Sequence, residues 1–135
     1  KGPDSLNTPL RRFARIQLLS RQREWESARH QLEDLMNEFG QHPLADDMLL
    51  EKAGLQARTG DLLGAVQSYL ELPLLYPRSF LGPRSLLEAA LIQAEALDDP
   101  EAAIATYQRI LQEFPGSLLI PQVRDAIRLL RGDQV

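Results

Sequence analysis

Cysteine is absent from the 135-residue chain, which excludes a disulfide framework, a thiolate metal site and a cysteine nucleophile but leaves the redox compartment open. Histidine occurs only as His30 and His42. Neither lies in an H-E-x-x-H pattern or has a second histidine at ligand spacing, so they read as surface or helix-end residues, and no metal or cofactor is expected. No G-x-S-x-G, Walker A or dinucleotide glycine pattern occurs either. The 8 glycines fall mostly at predicted helix ends and turns; Gly54 and Gly64 are the exceptions, read as points of close helix packing. Apolar runs are short, as in Leu72 to Tyr76 and Leu118 to Pro121, far below the ~20 residues that cross a bilayer. β-Branched residues are scarce, 3 Val, 6 Ile and 3 Thr against 26 Leu and 14 Ala, which points to an all-α fold. Aromatic content of 6% and charged content of 25% are ordinary for a globular protein and exclude a disordered or collagen-like chain.

The length fits a single domain over residues 1–135 with a sizeable core. Lys1 in place of Met implies a processed chain or a piece of a longer protein, so any targeting segment is out of view and localisation stays open between cytoplasm and cell envelope. Net charge is −4, unevenly spread: residues 1–30 carry seven cationic and three acidic side chains, and the remainder eight and sixteen.

Punctuation divides the chain into seven segments of helical length. Thr8-Pro9 starts the first, with Leu10, Phe13, Ala14 and Leu18 as its apolar stripe to about Arg21. The second runs from about Glu24 to Phe39 on the stripe Trp25, Ala28, Leu32, Leu35, Met36 and Phe39, with Gly40 as its C′ residue. Trp25, Met36 and Met48 are expected in the core. A third follows Gln41-His42-Pro43, carries Leu44, Met48, Leu49, Ala53, Gln56 and Ala57, and stops at Gly60. Asp61 caps a fourth, with Leu62, Ala65, Val66, Tyr69 and Leu72 on one face, which Pro73 should end or kink. After the breakers between Pro77 and Pro83 comes a fifth with Leu86, Leu87, Ala90, Leu91, Ala94 and Leu97. Asp98-Asp99-Pro100-Glu101 opens a sixth, reaching about Phe114, and a last helix carries Val123, Ala126, Ile127 and Leu130 to Gly132. Asp46-Asp47 and Asp98-Asp99 read as helix-start acids and not as catalytic carboxylate pairs.

The chain repeats itself. Ala65-x-x-x-Tyr69 with Pro77 recurs 38 residues on as Ala103-x-x-x-Tyr107 with Pro115; Ser79 falls on Ser117 and Pro83 on Pro121. A degenerate copy lies 37 residues earlier at Ala28, Leu32, Phe39 and Gly40. Three helix pairs, about 9–40, 43–77 and 83–115, and a closing helix at about 118–132 account for the chain. A small residue lets paired helices approach, an aromatic fills the wedge between them, and stacked neighbours complete a core that no pair closes alone.

These positions resemble tetratricopeptide repeats, whose signature includes A-x-x-x-F with a later proline. The resemblance covers residues 9–132 and implies a right-handed α-solenoid. Departures are periods longer than the family's 34, Leu49 and Ala53 where its first-helix aromatic and glycine are expected, and Pro73 inside the second repeat. The turns Tyr76-Pro77-Arg78-Ser79 and Phe114-Pro115-Gly116-Ser117 further resemble bacterial envelope repeat proteins of the outer-membrane-assembly lipoprotein and Tol–Pal-associated type.

The resemblance implies a non-catalytic module that holds a protein or peptide segment in a concave groove lined by first helices. With Ala65 and Ala103 at the family's small position, the groove residues are Leu50, Gly54, Ala57 and Arg58 of the second pair and Glu88, Ile92 and Glu95 of the third. Such a groove, apolar with acidic flanks, suits an amphipathic or basic segment. The alternatives are a structural spacer or self-association unit of a larger envelope protein, and an enzyme or its accessory domain, which a cleft gathering a histidine with two carboxylates would favour. Arg11, Arg12 and Arg15 form the one dense basic cluster, a solvated helix face or a docking patch for an acidic partner or another copy. It is too small for nucleic acid in a chain of pI near 5.2.

Overall fold

The computed structural model describes residues 8–132. Lys1 and Asp4, counted in the N-terminal charge, lie outside the described residues. Among those described, seven α-helices and no strand occur: α1 (Pro9–Arg21), α2 (Trp25–Glu38), α3 (Ala45–Arg58), α4 (Leu62–Leu75), α5 (Gly82–Leu91), α6 (Pro100–Glu113) and α7 (Ile120–Leu130). The architecture is all-α and built of helix pairs. The chain groups into two compact units that divide between Ala65 and Val66, inside α4.

In the first unit α2 packs on α1 and on α3. Phe13, Ile16, Ala28, Leu32, Leu35, Met48 and Leu55 make its core, and Leu19, Trp25, Met36, Phe39 and Leu44 pack around them. The α2 stripe is as the periodicity predicts. That of α1 is not: Ile16 is buried, whereas Leu10 and Leu18 are 64% and 46% exposed. A 13-residue helix with leucines on several faces does not say which of them its neighbour covers. In the second unit α6 packs on α5 and α7, around Leu86, Ala90, Ala103, Tyr107, Ile110, Val123 and Ile127.

Three predicted starts are capped as expected. Thr8 Oγ1 accepts from Arg11 N, Asp61 Oδ1 from Gly64 N at 3.0 Å, and Asp99 Oδ1 from Ala102 N. Gly64 serves this cap and not helix packing, since a Cβ there would meet the Asp61 carboxylate at 2.3 Å. Gly40 does not take the left-handed conformation of a C′ residue; that conformation falls instead on Arg23 (φ 65°), Gly60 (φ 91°) and Asp98 (φ 51°). These three are separated by 37 and 38 residues, one between the helices of each pair. Arg23 N to Ser20 O and Glu24 N to Leu19 O, like Gly60 N to Ala57 O and Asp61 N to Gln56 O, are the paired bonds of a Schellman turn.

Pro73 does not end α4: the helix runs to Leu75, with Tyr76 N bonded to Leu72 O at 2.8 Å. The Tyr69 carbonyl, deprived of its helical donor by the proline ring, accepts the Ser85 hydroxyl of α5 at 2.6 Å. The fifth helix also departs from the simple stripe. After Leu91 it continues as a π turn, Ile92–Ala96, in which Leu97 N bonds Ile92 O. From Ala45 to Gly60 is 15 residues but from the equivalent Gly82 to Asp98 is 16, so the π turn absorbs the one residue by which the two periods differ. Inside it, Gln93 is buried and its Oε1 accepts from Thr106 Oγ1 at 2.6 Å.

Candidate functional site

The residues that the resemblance assigns to the groove stand on two first helices. On α3 the core takes Met48, Leu49, Ala53 and Leu55. Leu50, Gly54 and Ala57, at offsets 0, 4 and 7, share a face that is half-buried, and Arg58 beside them is exposed. On α5 the core takes Ser85, Leu86, Ala89 and Ala90. Glu88 and Ile92 are half-buried and Glu95 exposed, again at offsets 0, 4 and 7. The α3 residues thus end on the exposed Arg58, whereas on α5 the half-buried Ile92 lies between Glu88 and Glu95.

Electrostatics distinguish the two faces. Glu88 lies 3.9 Å from Arg84 on its own helix. Burial, and secondarily the charge of Glu95, raise the Tyr107 phenol above its ordinary pKa. The Glu95 carboxylate therefore bears on the α5–α6 pair as well as on solvent.

The arginine cluster divides. Arg12 is held in a bidentate ion pair, with Nη1 and Nη2 at 2.9 and 3.0 Å from the Glu38 carboxylate, and its guanidinium lies 5.8 Å from the Phe39 ring centre. The hydrogen bond from Arg12 holds Glu38 below the usual carboxylate range and raises Arg12 in turn. Arg12 is thus committed to joining α1 and α2, and the exposed part of the cluster is Arg11 and Arg15.

A cleft of about 490 Å³ between α2 and α3 gathers His30 with Glu26 and Glu33, alongside Arg29, Lys52 and Gln56. The His30 side chain is 78% exposed and its ion-pair partner is Asp34, at 3.9 Å. No hydroxyl or thiol lines the cleft beside it. Among the described residues no group of three or more His, Asp or Glu could hold a metal ion, and no helix is long and apolar enough to cross a membrane. Asp46 accepts from Asp47 N in the first turn of α3, where burial and the Asp46 charge raise the Asp47 carboxyl.

One set of structural residues was not recognised as a set from the sequence. In the turns before α3, α5 and α7, His42 Nδ1 accepts from Leu44 N, Ser79 Oγ from Leu81 N and Ser117 Oγ from Leu119 N, all at 3.0–3.1 Å. The 37-residue spacing from His42 to Ser79 was the available signal, masked by the change of residue type.

The helix pair formed by α5, its π turn and α6, ending in the Ser117 turn, decides the comparison with known families. Residues 84–117 match the tetratricopeptide repeat family model. Over that stretch the chain is similar to a tetratricopeptide repeat. None of the curated proteins matches it. Tetratricopeptide repeats are generally protein–protein interaction modules without catalysis of their own. The matched residues include Glu88, Ile92 and Glu95.

Proposed function

We propose that the chain is a non-catalytic interaction module that holds an amphipathic or basic peptide or helix on its first-helix faces. The carrying observation is that Leu50, Gly54 and Ala57 of α3, and Glu88 and Ile92 of α5, are only half-buried and Glu95 is exposed, whereas Met48, Leu49, Ala53 and Leu55 of α3 and Ser85, Leu86, Ala89 and Ala90 of α5 are buried. Apolar side chains at helical spacing supply contact area for a partner's apolar stripe, and the flanking Glu88 and Glu95 favour cations beside it. The repeated aromatic-Pro-x-Ser turns support a parent among envelope proteins.

Selection of peptides from a displayed random library, followed by fluorescence anisotropy on the winners, tests this reading. Basic amphipathic peptides should emerge, and Leu50→Glu and Glu88→Arg should each weaken them by about tenfold or more, as loss of a contact at the centre of an interface does. A library that yields no binder, or binders indifferent to both substitutions, would overturn it.

A further inference from the structure

The most exposed large apolar side chains among the described residues lie on turns of the second unit. Phe80 is 85% exposed and Leu118 is 96% exposed. They are 38 residues apart and occupy the same place in equivalent turns, each following the serine whose hydroxyl closes the turn. Ser79 N bonds Tyr76 O and Ser117 N bonds Phe114 O, at 2.9 and 3.0 Å, so both turns are built alike.

The two turns stand side by side. Gly82, at the start of α5, lies so close to Phe114, at the end of α6, that a Cβ on it would come within 2.4 Å of the ring. Phe80 precedes that contact by two residues and Leu118 follows it by four, so both project from one edge of the unit. Leu74 and Leu75, exposed at the end of α4, lead into the same edge.

The charge of this edge opposes that of the chain. Residues 77–84 and 114–124 contain Arg78, Arg84 and Arg124 and no acidic side chain, although the chain carries a net charge of −4. Of the bordering carboxylates, Glu113 is taken up by Arg109 and Asp125 by Arg128, and Glu88 offsets Arg84 at 3.9 Å, which leaves Arg78 and Arg124 as the cations of the edge. Glu71 stands one turn back on α4.

We propose that this edge docks on an anionic lipid bilayer, with Phe80 and Leu118 entering the headgroup boundary and Arg78 and Arg124 meeting lipid phosphates. Side chains this far clear of their neighbours offer no groove for a protein ridge to fill, but a fluid interface closes around them. Apolar insertion and cationic attraction act together in such binding. Hydrogen-bonded turns hold both tips in place, so little ordering accompanies insertion.

Co-sedimentation of the 135-residue chain with vesicles of phosphatidylcholine and phosphatidylglycerol in equal parts, and with phosphatidylcholine alone, tests the proposal. The chain should pellet with the anionic vesicles and not the neutral ones, and binding should fall as salt is raised. Phe80→Ser with Leu118→Ser, and separately Arg78→Glu with Arg124→Glu, should each weaken binding by about tenfold or more, with helicity by circular dichroism unchanged. Absence from the anionic pellet, equal binding to neutral vesicles, or unchanged binding by the serine variant would overturn it. So would a solution mass of two chains that the serine variant reduces to one, because a second copy would then cover the edge.

Discussion

The Ser85 hydroxyl of α5 donates to the Tyr69 carbonyl of α4 at 2.6 Å, occupying the acceptor that Pro73 leaves without its helical N–H. Ser85 is fully buried, so the bond is made where water does not replace it. Ser85→Ala should cost about 1–3 kcal/mol in urea unfolding. Pro73→Ala restores an amide donor to the same carbonyl, so in the double variant the Ser85→Ala penalty should shrink; additive losses would show that the two residues do not share that acceptor.

The inter-helix turns of the first two pairs share their backbone bonding but place different residues in the left-handed conformation, Arg23 in one and Gly60 in the other. Arg23→Gly should raise stability by about 0.5–1 kcal/mol, and Gly60→Ala should lower it by about 1 kcal/mol, both read from thermal or denaturant midpoints.

Gly82 and Gly116 should respond oppositely to alanine. At Gly82 the new methyl meets the Phe114 ring, and a loss of about 1–3 kcal/mol is expected from overpacking. Nothing lies within 4 Å of a Cβ at Gly116, so Gly116→Ala should be neutral or stabilising by up to about 1 kcal/mol.

Thr106→Val leaves the Gln93 Oε1, buried in the π turn, without its donor. The expected loss is about 1–3 kcal/mol in urea unfolding. Amide exchange should also quicken across residues 92–97, where the i to i+5 bonding depends on Gln93 staying packed.

The Arg12–Glu38 pair makes stability depend on pH in a stated direction. Arg12 lowers the Glu38 pKa below its ordinary value near 4.5. The pair's contribution is therefore complete above that ordinary value and is lost as pH falls through the lower, folded-state value. Melting curves of the native chain and of Glu38→Gln should differ at neutral pH and converge in acid; parallel curves would place the linkage elsewhere.

Helix number and order were legible in the sequence, because proline, glycine and capping acids mark the boundaries and the 37- and 38-residue recurrence marks equivalent turns. Which leucines of α3 the core takes was not legible in the sequence, since the helix carries them both on its core side, as Leu49 and Leu55, and off it, as Leu50. Choosing among them needs the direction of the neighbouring helix, which no local pattern contains.

The sequence by itself determined that the chain is helical and free of cysteine chemistry, since propensity, capping and composition act within a few residues of where they are read. Tertiary structure alone decided three things. It left α4 helical through Pro73, because a hydroxyl sixteen residues away satisfies the carbonyl that proline abandons. It turned the extra residue of the 38-residue repeat into a π turn, because the buried Gln93–Thr106 bond and the packed ends of α5 hold both sides of the insertion in place. It drew Arg12 out of the basic cluster into a bond with Glu38, because two charges twenty-six residues apart meet only when α1 lies against α2.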